Sequence, residues 1–187
     1  MNKAERKFLN KAVKKVRKGG FVVEVGSFYG DSSTRALATG IESSGSKASL
    51  YCVDPFDEKF YQTVSFENVR ESIRKRCGSG KVIDEFRKNM APYPYTLIQK
   101  KSVDAAEDFL DGSIDFIFID GNHSYEDVLA DISAWYPKVK TGGVMCGHDY
   151  GKPEFGVTEA VHEFFLKANN PARSIWHILK VKAYRDD

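Results

Sequence analysis

Five short apolar runs constrain this chain most: FVVEVG (21–26), SLYCVD (49–54), YTLIQKK (95–101), DFIFID (115–120) and GVMCGHD (143–149). A strand with one wet face alternates apolar and polar residues. Several of these runs are instead almost continuously apolar, the pattern of a strand covered on both faces. Stretches of helical periodicity separate them, and that alternation is the mark of a parallel sheet with crossover helices. A sixth run, SIWHILKVKAY (174–184), is more amphipathic and reads as a last strand. The expected fold is α/β: a doubly wound, mostly parallel, six- or seven-stranded sheet with helices on both faces. The short tail leaves six strands open.

The intervening helices carry their own signals. Residues 3–17 place Ala4, Phe8, Ala12, Val13 and Val16 on one face and lysines and arginines elsewhere. A helix from Ser32 to Ala38 follows Gly30, with Asp31 or a following serine as cap. Val82–Met90 is another. Ser124 precedes Asp127 at capping-box spacing, and Val128, Ile132, Trp135 and Val139 share the face behind it. Thr158 to Ala168 is a further amphipathic helix. Roughly forty residues separate Asp54 from Tyr95, long for one crossover. Residues 56–81 therefore read as a helical insertion, either a substrate wall or a surface decoration. Its aromatics Phe56, Phe60, Tyr61 and Phe66 could floor a pocket or form a local core. No repeat or linker divides the chain, so one domain over 1–187 is expected.

Composition excludes some partners. A net charge of +2 is too small to imply a polyanion. The basic residues of the first helix read as its solvated side, and no aromatic ladder supports nucleic-acid binding. No apolar run approaches the roughly 20 residues that span a bilayer, and the start lacks the apolar core of a secretory signal. Cys52, Cys77 and Cys146 lack ligand spacing. Cys52 and Cys146 lie in strand-like runs, as small buried hydrophobes of a reducing compartment. A cytoplasmic setting is expected; the oligomeric state stays open.

The chemistry-bearing residues sit at strand ends. Glu24-Val25-Gly26-Ser27-Phe28-Tyr29-Gly30 leads from the first strand into a helix. Glycines there let a ligand approach the backbone and meet the helix amino terminus. A dinucleotide fingerprint would need glycine at 24, 26 and 29, where this chain has Glu, Gly and Tyr. An acid before the glycine suits a cationic group, such as the amino group of an amino-acid moiety. Asp54, ending the second strand, can accept the hydroxyls of a ribose, though Asp-Pro also starts turns. Asp120 and His123 follow the fourth strand, and His148 and Asp149 follow the fifth. Together they could act as a general base or a hard-metal site, or serve as helix caps.

The runs FVVEVGSFYGDSSTRALA, YCVDPF and FIFIDGNHSYEDVLADISAWYPKVKTGGVMCGHDY resemble class I S-adenosylmethionine-dependent methyltransferases. Within that class they look like the small O-methyltransferase-like group with an IDG-x-H-x-Y, GG and HD signature (methyltransferase family 24-like). The similarity covers most of 20–166. It implies a Rossmann-like methyltransferase fold with S-adenosyl-L-methionine as cofactor. Glu24, Gly26, Ser27 and Gly30 would line the methionine part, Asp54 the ribose and Ser102 the adenine side, with Ser32 a further cofactor-binding residue. Asp120 and His123 would lie near the methyl donor. His123, His148 and Asp149 are the implied catalytic residues. Asp120 and Asp149 match places where related enzymes hold a divalent metal such as magnesium, but the Asp-Asn pair of the catechol type reads Asp149-Tyr150. The Asp/Asn-Pro-Pro-aromatic motif of base-amino methylation is replaced by Asp-Gly-Asn-His, so a small-molecule or sugar hydroxyl is the expected acceptor. Rival readings are a cofactor-binding module without transfer, a nucleic-acid methyltransferase using the basic first helix, and a nicotinamide oxidoreductase.

Overall fold

The computed structural model describes residues 1–63 and 67–181. In chain order its elements are α1 (Lys3–Val13), β1 (Phe21–Val25), α2 (Ser33–Ser44), β2 (Ser49–Val53), α3 (Glu58–Thr63), α4 (Glu67–Cys77), α5 (Val82–Met90), β3 (Thr96–Ile98), α6 (Ser102–Ala106), β4 (Ile114–Ile119), α7 (Tyr125–Trp135), β5 (Val139–Gly147), α8 (Val157–Phe164), β6 (Asn169–Ala172) and β7 (Ile175–Leu179). One seven-stranded sheet results, in the order β3-β2-β1-β4-β5-β7-β6. The first five strands run parallel, and β7 is antiparallel to both β5 and β6. Strand order reverses between β1 and β4, the switch point where open α/β sheets hold ligands at their carboxyl ends.

Strand β4 shows why the sheet is covered twice. All six of its residues are buried. Alternate side chains point to opposite faces: Phe116 and Phe118 pack with Leu9, Leu37, Phe86 and Met90 of α1, α2 and α5. Ile117 and Ile119 pack with Ala105, Ile132, Trp135 and Val161 of α6, α7 and α8. Each such side chain contributes about 1.5–3 kcal/mol on full burial.

Several boundaries differ from expectation, each for a local reason. Helix α1 stops at Val13, and it buries Glu5, Leu9 and Val13. Ala4 is exposed, and Phe8 and Ala12 are only half-buried. The turn is set by a capping box. The Asn2 side chain accepts the Ala4 and Glu5 amides at 2.8 and 3.0 Å, and Glu5 accepts the Asn2 amide at 2.6 Å. Strand β5 begins at Val139, because it continues through an irregular register opposite Ile114 and Phe116. Helix α8 ends at Phe164, and the following Asn169–Ala172 forms β6 at the sheet edge, where its Pro171 costs no ladder bond. In the 56–81 stretch lie α3 and α4. Helix α4 buries none of its residues, whereas Tyr61 and Phe56 are buried and Phe60 is exposed. Phe66 and the end of the expected 174–184 strand, residues 182–184, lie outside the described residues. Among the described residues no helix is long and apolar enough to cross a membrane.

Candidate active site

The turn after β1 is held tightly against β4. Gly26 has φ of +85°, and a Cβ there would stand 2.1 Å from the Asp120 carbonyl oxygen. Its amide donates to the Val53 carbonyl at 2.9 Å, while the Asp120 amide donates to Val25 at 2.8 Å. The ends of β1, β2 and β4 are thereby laced together, and only glycine satisfies both the left-handed backbone and the contact. Gly30, the other glycine of the turn, has φ of +72°.

Glu24 is wholly buried beneath α2 and accepts the Thr34 hydroxyl. Burial, opposed by the hydroxyls of Ser33 and Thr34, pushes its carboxyl up to about 7. Glu24 Oε1 and the neighbouring Ser27 Oγ are buried without a hydrogen-bond partner. Orphaned polar atoms of this kind are costly. An acceptor pair in a glycine turn matches a cationic donor, so these residues fit the ammonium of an amino-acid moiety.

Asp54 immediately follows β2 and is only 5 % exposed. Its Oδ2 accepts the Phe28 amide at 2.9 Å; its Oδ1 accepts the Phe56 amide and the Tyr61 hydroxyl, each at 2.8 Å. Phe28 and Phe56 hold φ of +47° and +48°, conformations that are uncommon for a residue with a side chain. The carboxylate thus organises two strained turns and α3 at once. Ser32 sits at the α2 cap position without a side-chain capping bond. It lines a groove of about 630 Å³ with Arg6, Lys7 and Arg35. Ser102 begins α6, and its hydroxyl accepts the Trp135 indole N–H at 2.9 Å.

The ends of β4 and β5 bring the remaining candidates together. Asp149, at φ of +59°, lies between two imidazoles. Its Oδ2 is 2.6 Å from His123 Nε2, and its Oδ1 is 2.9 Å from His148 Nδ1 and 2.6 Å from Lys152 Nζ. Asp120 Oδ1 stands 3.8 Å from His123 Nε2 and 3.6 Å from His148 Nδ1. The His123 ring stacks on Phe155 with centroids 4.6 Å apart. Burial disfavours charge on His123, yet Asp120 and Asp149 outweigh it and raise the imidazole to about 9. His148 is raised for the same reasons. Burial alone would lift Asp149, but His123, His148 and Lys152 hold it well below the usual carboxylate range. Asp120, His123 and Asp149 each offer a ligand atom within 4.8 Å of the others, a carboxylate–imidazole set that a divalent cation could use. Tyr150 turns away, its hydroxyl 2.6 Å from His162 Nε2.

Two members of this cluster, Lys152 and Glu5, were not anticipated. Glu5 of α1 is 2 % exposed, and its Oε2 lies 3.3 Å from His148 Nε2. The Asn2–Glu5 spacing is a readable capping signal. The approach to His148, far along the chain, has no local signature.

Residues 23–150 match a family of methyltransferase domains. An uncharacterized protein of Sinorhizobium fredii is 38 % identical over 60 residues, which is 32 % of this chain and only 7 % of that much longer protein. Among solved structures, an rRNA methylase described from Clostridium thermocellum superposes with a TM-score of 0.64 at 16 % identity, over 97 % of this chain and 99 % of its own. The O-methyltransferase NovP superposes equally well, at 0.64 and 17 % identity, over 96 % of this chain and 80 % of its own. The sheet order, the glycine turn and the matched span agree, and the chain belongs to this methyltransferase family, on the class I fold of S-adenosylmethionine-dependent enzymes.

Proposed function

We propose that this chain is an S-adenosylmethionine-dependent O-methyltransferase acting on a hydroxyl of a small molecule or sugar. The observation that carries the reading is the direct contact between the two halves of the site. Gly26 of the cofactor turn packs on the carbonyl of Asp120, three residues before His123. When bound, the cofactor supplies an electrophilic methyl group on a sulfonium centre. Glu24 and Ser27 take its ammonium, Gly26 and Gly30 admit its methionine part, and Asp54 takes its ribose. Ser32 and Ser102, at the starts of α2 and α6, would be further contacts to the cofactor.

His123 is the proton acceptor for the hydroxyl. Its Nε2 faces Asp149, which leaves Nδ1 for the incoming proton. Asp149 stabilises the resulting imidazolium, as a buried carboxylate does beside a catalytic histidine. The neighbouring carboxylates raise its imidazole to about 9, so it takes a proton avidly once its own has been given up. A cation held near His123 would lower that value and favour the unprotonated base. His148 supports Asp149 from the other side.

A second reading of the same cluster rests on its donor set. Asp120, His123 and Asp149 would hold a divalent cation such as magnesium, which would acidify the acceptor hydroxyl. The fold match to an rRNA methylase and to NovP is equally good, so the fold does not select the acceptor; the Asp-Gly-Asn-His run in place of a base-methylating motif favours a hydroxyl. We read 1–187 as one domain, and 56–81 as an insertion walling the acceptor side. The three free cysteines suit a cytoplasmic setting.

Calorimetry with S-adenosylmethionine and with NAD tests the core claim. Binding of the first alone is expected, and binding of NAD alone would reverse the assignment. Turnover on hydroxylated acceptors with chelator, then with magnesium restored, separates the base from the metal.

A further inference from the structure

Asp54 is almost fully engaged before any ligand arrives. A carboxylate offers about four lone-pair sites. Oδ1 spends two on the Phe56 amide and the Tyr61 hydroxyl, and Oδ2 spends one on the Phe28 amide. One site remains, whereas a ribose presents two adjacent hydroxyls. The two amides belong to the strand-end turns and cannot leave without rebuilding them. Tyr61 differs, because its hydroxyl reaches in from a side chain on the six-residue helix α3. The ring is buried, 5.5 Å from the Phe28 ring centroid, while the adjacent Phe60 is 47 % exposed. Burial and then the Asp54 charge push the Tyr61 phenol upward, so it stays an O–H donor. A phenol donating at 2.8 Å is the chemical equivalent of an alcohol donating to the same oxygen.

We propose that the Tyr61 hydroxyl holds the place of a ribose hydroxyl on Asp54, and that a ligand carrying a vicinal diol displaces it together with α3. The proposal rests on Asp54 being the ribose acceptor. Displacement exchanges one hydrogen bond for another, so the first ribose hydroxyl gains little and the seat is self-competed. It also couples cofactor entry to the position of α3, the element that precedes the acceptor-side insertion's second helix.

The test is calorimetry of the full chain and its Tyr61→Phe variant, with S-adenosylhomocysteine and with its 2′,3′-dideoxy analogue. Phenylalanine keeps the ring beside Phe28 and removes only the competing hydroxyl. The variant is expected to bind the diol ligand about five-fold tighter, the equivalent of one ordinary hydrogen bond, and to bind the dideoxy ligand as the parent does. Hydrogen exchange at the α3 amides of the parent should quicken when the diol ligand is added. Equal or weaker diol binding by the variant, or an equal gain with both ligands, overturns the exchange while leaving the cofactor assignment intact. Failure of both proteins to bind either nucleoside removes the cofactor assignment, and the exchange with it.

Discussion

Strand β4 carries an aspartate at each end, and their surroundings differ in kind. Asp115, at the amino end, is 6 % exposed. Arg17 Nε lies 3.1 Å away, Lys140 reaches the same oxygen, and the Phe21 amide donates at 3.0 Å. Its cationic partners are a guanidinium and an ammonium, groups chosen for pairing rather than for proton transfer. Asp120, at the carboxyl end, faces His123 and His148, imidazoles that the surrounding carboxylates hold above their ordinary value but whose charge can still change. A carboxylate set against cations is common to both ends, buried at Asp115 and half-buried at Asp120. What separates scaffold from site is whether the partner's charge can change.

The sharpest way to break that contrast is Asp149→Asn. Asparagine keeps the shape but removes the charge shared by His123 and His148. Methyl transfer should fall by roughly 10²–10⁴-fold, the usual weight of acid–base catalysis, with cofactor affinity retained. The His123 imidazole should drop from about 9 toward its ordinary value near 6.5, read by NMR titration of the ring protons. The sign for stability follows. A histidine raised in the folded state stabilises fully below about 6.5 and loses that contribution as pH rises through about 9. The parent should therefore soften over that window, and the variant, which keeps Asp120 beside both imidazoles, should soften less.

Glu24→Gln comes next in size. Glu24 titrates at about 7 rather than 4.5, so its folded form favours the proton. Stability from this group is highest below 4.5 and declines as pH rises to 7, by about 3 kcal/mol. Glutamine mimics the protonated acid, so chemical denaturation at pH 8 should show a variant more stable by up to that amount. S-adenosylhomocysteine should bind it roughly ten- to a hundred-fold more weakly, because a charged acceptor is gone. For the parent, binding at pH 6 should release a proton from Glu24, seen as a buffer-dependent enthalpy.

Both ends of this argument were partly legible in the sequence. The continuous apolar runs disclosed the two-sided sheet, because parallel strands have no wet face to mark with polar residues. The placement of Glu24, Asp54, Asp120 and Asp149 near the carboxyl ends of strands was readable because the apolar runs mark where each strand stops. Less was legible where a role depends on partners distant in sequence. The buried face of α1 was read through Ala4 and Phe8, whereas packing turned Glu5 inward. Strand β6 was hidden by Asn169, Asn170 and Pro171, which only a sheet edge tolerates. Saturation of Asp54 by Tyr61 depends on the path of α3, and no spacing rule encodes it.

The amino end of β4 supplies the control. Asp115→Asn keeps an acceptor for the Phe21 amide but leaves Arg17 and Lys140 without their anion. Lys140 is the more buried cation of the two. A loss of about 2 kcal/mol is expected in denaturant titration, below the usual toll for breaking a buried pair because Arg17 is largely solvated. Turnover of the folded variant should stay within about two-fold of the parent. A large fall in turnover would mean that the two ends of β4 are coupled, and the contrast between them would dissolve.

The smallest effect belongs to Glu5→Gln. Glu5 accepts the Asn2 amide at 2.6 Å and the Ser174 amide at 3.3 Å while facing His148. Burial raises its carboxyl, but those amides and His148 more than compensate, so it is held below its ordinary value and ionised. Glutamine has one acceptor oxygen where glutamate uses two, so it can keep the Asn2 amide of the capping box and gives up the longer bond from Ser174, with a loss near 1 kcal/mol. What it cannot supply is a negative charge opposite His148. With that removed, His148 is steadied only from its Asp149 and Asp120 side, and its ring has less reason to keep Nδ1 toward Asp149. Turnover should fall only a few-fold, with unchanged affinity for S-adenosylhomocysteine. The His148 resonances should titrate at lower pH than in the parent while those of His123 stay near theirs. If both imidazoles shift together, Asp149 transmits charge between them, and α1, which lies outside the matched span of 23–150, must be counted as part of the site.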